Sequence, residues 1–164
     1  MKKIVIINGT GGSGKDTFVG LCSKYTRVYN FSSIDKVKEL ARLIGWNGLK
    51  NEKDRKFLSD LKKITTEYND MSFNSIIEAI NNYNKSDNEI MFIHIREPEE
   101  IKKLVKKYAC KTLLIKRDNI KKIISNYSDA NVDKYNYDYI IENTTLDEFE
   151  NKAKKFIEEL KNDK

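Results

Sequence analysis

The chain has 164 residues, enough for one domain with a substantial core, and no linker composition marks a second domain. Its 31 lysine and arginine residues exceed its 25 acidic residues and give a formal net charge of +6. The lysines are spread through every segment without a dense basic patch, which argues against a nucleic-acid polymer as partner. No apolar stretch approaches the roughly 18 residues of a membrane span, so we expect no membrane association.

Short apolar runs alternate with amphipathic stretches along the chain. The apolar runs predict strands at residues 3–8, 27–31, 89–95, 111–116 and 137–141. The amphipathic stretches predict helices at about residues 14–25, 33–44, 51–68, 72–83, 98–108, 118–125 and 147–160. We expect Ser32 or Ser33 to cap the second of these helices and Gly45 to end it. Pro98 suits the first turn of the helix that it begins.

Five short strands that alternate with helices predict an α/β fold, a single domain over residues 1–164 with a parallel sheet and helices on both faces. The run at 89–95 is the most apolar after the first, so we expect it to be a central strand. Residues 33–84 form a helical insertion between the second and third strands, where an acceptor could bind. Residues from about 117 to 136 are the expected lid region, and ligands should gather at the carboxyl ends of the strands.

Residues 9–17 read Gly-Thr-Gly-Gly-Ser-Gly-Lys-Asp-Thr, directly after the first predicted strand and at the start of the first predicted helix. The spacing is that of a Walker A phosphate-binding loop. Its glycines let successive backbone N–H groups point at a phosphate, and the helix N-terminus adds further donors. The sequence therefore predicts a three-layer P-loop NTPase fold that binds ATP. The predicted ATP-binding residues are Gly9, Gly11, Gly12, Ser13, Gly14, Lys15, Asp16, Thr17 and, after the fifth strand, Asn143. For Asn143 an ordinary turn is the alternative.

Four motifs in chain order resemble those of the P-loop nucleoside monophosphate kinases, most closely the deoxynucleoside monophosphate kinases of the bacteriophage type. Phosphomevalonate kinases share part of the pattern. The motifs are Gly-Lys-Asp-Thr at 14–17, Phe-Ser-Ser-Ile-Asp-Lys-Val-Lys-Glu at 31–39, His-Ile-Arg-Glu-Pro-Glu-Glu-Ile at 94–101, and Ser-Asp at 128–129 followed by Asp-Tyr-Ile-Ile-Glu-Asn at 138–143. The resemblance implies a kinase that moves the γ-phosphoryl group of ATP to a small phosphorylated acceptor, with Mg²⁺ as cofactor.

Phosphoryl transfer needs positioning and positive charge around the transferring group. The catalytic candidates are Lys15, in the loop, Arg96, at the end of the third strand, and Arg117, just after the fourth. For the two arginines the alternative is a surface ion pair with a neighbouring acid. The candidates for binding the acceptor are Ser33, Asp35, Lys38, Arg96 and Glu97. Asp35 fits equally well as an acid favoured by a helix N-terminus.

Two residues depart from the pattern of the resembled family. His94 stands where that family has an aspartate that holds Mg²⁺ through water, and Lys36 replaces a proline. Mg²⁺ prefers oxygen ligands, so Asp16 and Glu97 are the predicted metal-binding residues. Two other functions stay open: a kinase for another small metabolite, and a nucleotide-binding protein without turnover.

The two cysteines, Cys22 and Cys110, lack metal-ligand spacing. A reduced protein in the cytoplasm is the simplest account of them. The sequence is compatible with a monomer or a homodimer.

Overall fold

The computed structural model describes residues 2–117 and 131–163. Its strands are β1 (Lys3–Asn8), β2 (Val28–Ser32), β3 (Ile90–His94), β4 (Cys110–Lys116) and β5 (Tyr139–Glu142). The helices in these ranges are α1 (Lys15–Cys22), α2 (Asp35–Leu43), α3 (Glu52–Asn69), α4 (Met71–Lys85), α5 (Pro98–Lys107) and α6 (Leu146–Asn162), with a 3₁₀ turn at Val132–Lys134. The helix expected at 118–125, most of the expected lid and the Ser-Asp motif at 128–129 lie outside the described residues.

All five strands pair in parallel in the order β2-β3-β1-β4-β5. This confirms the predicted five-stranded parallel sheet and the central place of residues 89–95, because β3 lies between β2 and β1. Parallel strands bring their carboxyl ends to one edge of the sheet. Asn8, His94 and Lys116 therefore end on the same side of the molecule, where ligands of such sheets bind.

Alternate residues of β1 divide between two cores, as the two-residue period of a strand requires. Val5 and Ile7 pack with buried residues of α1 and α6 on one face of the sheet. Ile6 packs with buried residues of α4 and α5 on the other face. The sheet is thus the middle of three layers, and the predicted fold class is confirmed.

Helices α2, α3 and α4 follow one another between β2 and β3, as the predicted insertion requires. A third, small core joins α2 and α3 through Val37, Ala41, Trp46 and Leu58. The insertion therefore has apolar packing of its own.

Two details of the prediction were wrong. Helix α1 ends at Cys22 rather than near residue 25, because the N–H groups of Lys24 and Tyr25 bond three residues back and form a turn. No serine caps α2, whose preceding residue is Ile34. Instead the carboxylate of Asp35 accepts a hydrogen bond from the backbone N–H of Ser32 at 2.9 Å. Two other predicted boundaries are confirmed. Helix α2 ends just before Gly45, which has φ of 102°, and Pro98 is the first residue of α5.

None of the described helices has both the length and the apolar character that a membrane crossing requires. Both cysteines are free; Cys22 is buried and Cys110 is partly buried. Burial raises the pKa of each thiol to about 12, so neither is a reactive thiolate at neutral pH.

Candidate active site

The phosphate loop connects β1 to α1 at the carboxyl edge of the sheet. Gly12 and Gly14 have φ of 76° and 98°, in the left-handed region that favours glycine. The ammonium of Lys15 donates hydrogen bonds to the carbonyl oxygens of Gly9 at 2.6 Å and Thr10 at 3.0 Å. The lysine therefore folds back over the turn, and its charge adds to the donors at the start of α1. This arrangement suits an anion.

Neighbouring strand ends pack directly against two glycines of this loop. A Cβ added to Gly9 would lie 2.6 Å from the carbonyl oxygen of Ile115, at the end of β4. A Cβ added to Gly14 would lie 2.3 Å from Nδ2 of Asn143, just after β5. That Nδ2 donates a hydrogen bond to the carbonyl oxygen of Ser13 at 2.9 Å. Asn143 thus supports the loop backbone, and its direct contact with a nucleotide stays a prediction.

The side chain of Ser13 lies beneath the loop, where the residue is 1% exposed. Its Oγ is buried and has no hydrogen-bond partner among the described residues. A buried hydroxyl without a partner carries a free-energy cost. A Cβ added to Gly9 would lie 2.5 Å from this Oγ, so the Ser13 hydroxyl packs inside the turn and not on the cavity surface.

A cavity of about 660 Å³ extends from the phosphate loop to α2 and α3 of the insertion. Most of the residues predicted to bind ATP, metal or acceptor line it. They are Gly11, Gly12, Gly14, Lys15, Asp16, Thr17, Ser33, Asp35, Lys38, Arg96, Glu97, Arg117 and Asn143. Gly9 and Ser13 are buried and do not line it. The structure therefore brings the residues predicted to bind ATP and those predicted to bind the acceptor to one cavity.

Positive side chains outnumber carboxylates in the cavity wall. The cations are Lys15, Lys38, Lys50, Arg55, Lys62, Arg96 and Arg117, and the carboxylates are Asp16, Asp35 and Glu97. Such an excess of one sign, focused in a cleft, attracts anions. The cavity is suited to a ligand with several negative charges.

The turn between β2 and α2 forms one side of the cavity and is held from three directions. The backbone N–H of Ser33 donates to the carbonyl oxygen of His94 at 3.0 Å, and its own carbonyl accepts from the hydroxyl of Ser72 at 2.9 Å. The carboxylate of Asp35 closes the turn through Ser32. One oxygen of Asp35 therefore has a local structural role, and its contact with an acceptor stays a prediction.

His94 ends β3 inside the cavity. Its Nε2 lies 2.8 Å from Oδ1 of Asn30 and 3.9 Å from Oδ1 of Asp16. Burial lowers the pKa of His94 to about 4; the nearby Asp16 opposes this, while Lys15 and other cations of the cavity add to it. The imidazole is therefore neutral at pH 7, and it neither adds positive charge nor acts as an acid there.

This pKa predicts a dependence of stability on pH. The folded state holds His94 neutral, whereas the unfolded chain protonates it near its ordinary pKa of 6.5. Between about pH 4 and 6.5 the unfolded state binds more protons, so stability falls as pH falls. From pH 7 to pH 5 the unfolding free energy of the wild type should fall by about 2 kcal/mol more than that of His94→Gln. Urea unfolding at several pH values, without Mg²⁺ or nucleotide, measures the unfolding free energy of both proteins. An equal change of that free energy with pH in the two proteins would contradict a buried, neutral imidazole.

Asp16 and Glu97, the predicted metal-binding residues, differ in their surroundings. The carboxylate of Asp16 is 95% exposed at the cavity, beside His94. Oε2 of Glu97 accepts a hydrogen bond from Lys62 at 2.7 Å. Over residues 2–117 and 131–163 no group of three or more His, Cys, Asp or Glu side chains is placed to hold a metal ion. A hydrated Mg²⁺ that binds mainly water and nucleotide phosphates needs few protein ligands, and the exposed Asp16 fits that requirement.

Sequence reasoning missed Asn8, which is fully buried at the end of β1. Its Oδ1 accepts from the N–H of Gly9 at 2.8 Å, and its Nδ2 donates to the hydroxyl of Tyr137 at 2.7 Å and to the carbonyl of Arg96 at 3.3 Å. The Tyr137 hydroxyl in turn donates to the carbonyl of Val132 at 2.8 Å. Asn8 thus connects the loop, the end of β3 and the segment before β5. A polar residue that ends an apolar strand just before a glycine was the available signal.

Sequence reasoning also missed Lys62, a buried residue of α3 that lines the cavity. Its ammonium lies 2.7 Å from Glu97, 2.9 Å from Glu100 and 3.2 Å from the hydroxyl of Ser33. Lys62 lies one helical turn after Leu58, on the buried side of α3. A lysine at an apolar position of a helix was the signal that could have found it.

Arg96 and Arg117 reach the cavity from the ends of β3 and β4, the two strands that flank β1. Arg96 follows β3 by two residues and is partly buried, whereas Arg117 directly follows β4 and is exposed. Asp118, the acid expected beside Arg117, lies outside the described residues. Both arginines therefore have the placement that the sequence predicted, and their contacts with substrate stay predictions.

A phosphate loop after β1, a parallel sheet covered on both faces and a helical insertion between β2 and β3 define the fold of the P-loop kinases. No protein-family model matches the chain, and no curated protein matches its sequence. Solved structures do match the fold. The protein TT1252 from Thermus thermophilus has a TM-score of 0.57 at 16% sequence identity, over 95% of this chain and 96% of that chain.

Two solved kinases are similar over the same extent. A sugar kinase from Janibacter sp. HTCC2649 has a TM-score of 0.57 at 10% identity, over 96% of this chain and 95% of that chain. The shikimate kinase from Bacteroides thetaiotaomicron has a TM-score of 0.52 at 11% identity, over 97% of this chain and 98% of that chain. At these identities the likeness establishes the P-loop kinase fold and leaves the acceptor open.

Proposed function

We propose that this protein is a P-loop kinase that transfers the γ-phosphoryl group of ATP to the phosphate of a nucleoside monophosphate, with a deoxynucleotide as the first acceptor to test. The observation that supports this most is the single cavity that joins the phosphate loop to a strongly basic acceptor side. An enzyme that brings two phosphate-bearing substrates together needs such a continuous cationic cavity.

On the donor side, the loop N–H groups and Lys15 hold the ATP phosphates. Asn143 keeps the loop in shape through Ser13. Mg²⁺, when bound with the nucleotide, neutralises negative charge on the phosphates. Asp16 is the residue best placed to hold the hydrated ion, and Glu97 is the second candidate.

On the acceptor side, Arg96 and Lys38 bind the acceptor's phosphate, and Arg117 stabilises the charge on the transferring group. The planar guanidinium of an arginine can bind phosphate through two hydrogen bonds. A phosphate acceptor is already anionic, so no side chain has to remove a proton from it. The neutral His94 is compatible with that chemistry, because no base is required at the end of β3.

The experiment is an ADP-release assay with ATP, Mg²⁺ and a panel of acceptors. The panel contains ribo- and deoxynucleoside monophosphates, phosphomevalonate, a hexose and shikimate. We expect ATP turnover to rise at least about tenfold over the acceptor-free rate with one or more nucleoside monophosphates. If no monophosphate stimulates turnover at saturating concentration, the proposed acceptor class is wrong.

A second candidate function is phosphoryl transfer to another small metabolite. It is favoured by the shared fold of the sugar kinase and the shikimate kinase. Stimulation only by a compound that is not a nucleotide would decide for it. The third candidate is nucleotide binding without turnover, which His94 in place of a metal-binding acid favours. Tight ATP binding by calorimetry, with no acceptor that stimulates ADP release, would identify it.

We also propose that the protein acts in the cytoplasm, on the basis of its two free, buried or partly buried cysteines. We propose further that it acts as a monomer or a homodimer.

A further inference from the structure

Lys62 makes three hydrogen bonds to three different places in the fold. Its acceptors are the hydroxyl of Ser33, after β2, and the carboxylates of Glu97 and Glu100, at the start of α5. An ammonium has three protons to donate, so these partners use its full capacity. Lys62 therefore joins α3 of the insertion to the two core segments that form the acceptor side of the cavity.

The charged side chains of this cluster are largely buried, and burial disfavours charge. The side chains of Lys62 and Glu100 are 11% and 13% exposed. Burial alone lowers the pKa of Lys62, but Glu100 and Glu97 outweigh it and raise the pKa above its ordinary value. Buried ion pairs of this kind often add little stability relative to apolar residues of similar volume. Stability alone therefore does not account for the cluster.

Lys62 also lines two cavities. A second cavity, of about 630 Å³, lies behind the first and is lined by residues of α3, α4 and α5. Ser59, Lys62 and Glu97 line both cavities, so these residues lie where the two cavities adjoin. The exposed neighbour Lys63 lines only the second cavity.

We infer that Lys62 is a positioning residue for the acceptor: it holds Ser33 and Glu97 in the acceptor wall and closes that wall against the second cavity. This inference rests on the proposed kinase function. Because all three of its protons are used, Lys62 acts through its partners and does not contact the acceptor itself. Loss of Lys62 should loosen the acceptor side and leave the phosphate loop, on the far side of β3, unchanged.

The first test is steady-state kinetics of Lys62→Met with the acceptor that the panel identifies. We expect the KM for the acceptor to rise by about tenfold or more, with the KM for ATP and kcat within about threefold of wild type. Lys62→Arg, which keeps the charge, should recover most of the acceptor affinity. Lys63→Met, the same change one residue later, should leave all three constants unchanged. An unchanged acceptor KM, or equal losses for ATP and acceptor, would overturn the inference.

Lys62→Met leaves two carboxylates without their cation and can cost several kcal/mol of stability. If it does not fold, the double variant Lys62→Met/Glu100→Gln removes one of those charges and has the same kinetic expectation. The second test needs no turnover: hydrogen exchange of segments 31–36 and 95–101 should be about tenfold faster than in wild type, with exchange at 9–17 unchanged. That result in a protein that phosphorylates no acceptor would refute the proposed function but support the positioning of these segments. Wild-type exchange in both segments would refute the positioning.

Discussion

Replacing Lys15 with alanine should reduce kcat/KM for ATP by about a thousandfold or more, which corresponds to ~4 kcal/mol of transition-state stabilisation. The ammonium of Lys15 lies over the loop, within hydrogen-bond distance of the carbonyls of Gly9 and Thr10. From there it can follow negative charge that moves between the β- and γ-phosphates. Its removal leaves the backbone donors of the loop in place, so ATP binding should weaken much less than turnover.

The matched control is Lys24→Ala. Lys24 lies just after α1 and forms an exposed ion pair with Glu150 at 2.8 Å, and it does not line the cavity. We expect its kinetic constants to equal those of wild type and its Tm to change little, since exposed ion pairs contribute little stability. The ADP-release assay and thermal unfolding measure both variants. Turnover by Lys15→Ala at the wild-type rate would show that the loop does not carry out the reaction.

Gly14→Ala should weaken ATP binding by at least about tenfold and reduce the unfolding free energy by about 2 kcal/mol. Gly14 has φ of 98°, which alanine adopts only with strain, and its new Cβ would lie 2.3 Å from Nδ2 of Asn143. To relieve that contact Asn143 must move, which breaks its hydrogen bond to the carbonyl of Ser13. The variant therefore disturbs both the loop conformation and its support by the end of β5.

Gly20→Ala is the control for this substitution. Gly20 lies inside α1, and a Cβ added there meets nothing within 4 Å. Since alanine favours a helix more than glycine does, this variant should gain about 0.5–1 kcal/mol of stability. Calorimetric titration with ATP and urea unfolding test both variants. If Gly14→Ala binds ATP as tightly as Gly20→Ala, the described loop geometry is not the one that binds the nucleotide.

The parts of the fold that the sequence predicted well are those with a local signal. The first strand was predicted at its exact bounds, because an apolar run ends there at a glycine-rich turn. The other described strands and helices were predicted to within three residues of their bounds, from apolar periods of two or 3.6 residues. The misplaced cap of α2 shows the limit of such signals. Both serines can cap a helix, and only the folded turn determined that Asp35 would bind the backbone of Ser32.

The candidate site divides in the same way. The loop residues Gly9 to Thr17 are contiguous, and their spacing alone indicates phosphate binding. Arg96 and Arg117 could be predicted because they follow strands, and the carboxyl ends of parallel strands share one edge. Lys62 could not be assigned a role, since its partners Ser33 and Glu97 are 29 and 35 residues away in the chain.

By itself the sequence determined the place of the phosphate-loop motif between the first strand and the first helix, the alternation of strands and helices, and the charged residues that follow the strands. These follow from backbone geometry and apolar periodicity, which act over a few residues. The tertiary structure decided the strand order and the three-way contact of Lys62. It also determined the support that Asn8 and Asn143 give to the loop. Each of these depends on which distant segments pack together to bury the core, and no local pattern records that choice.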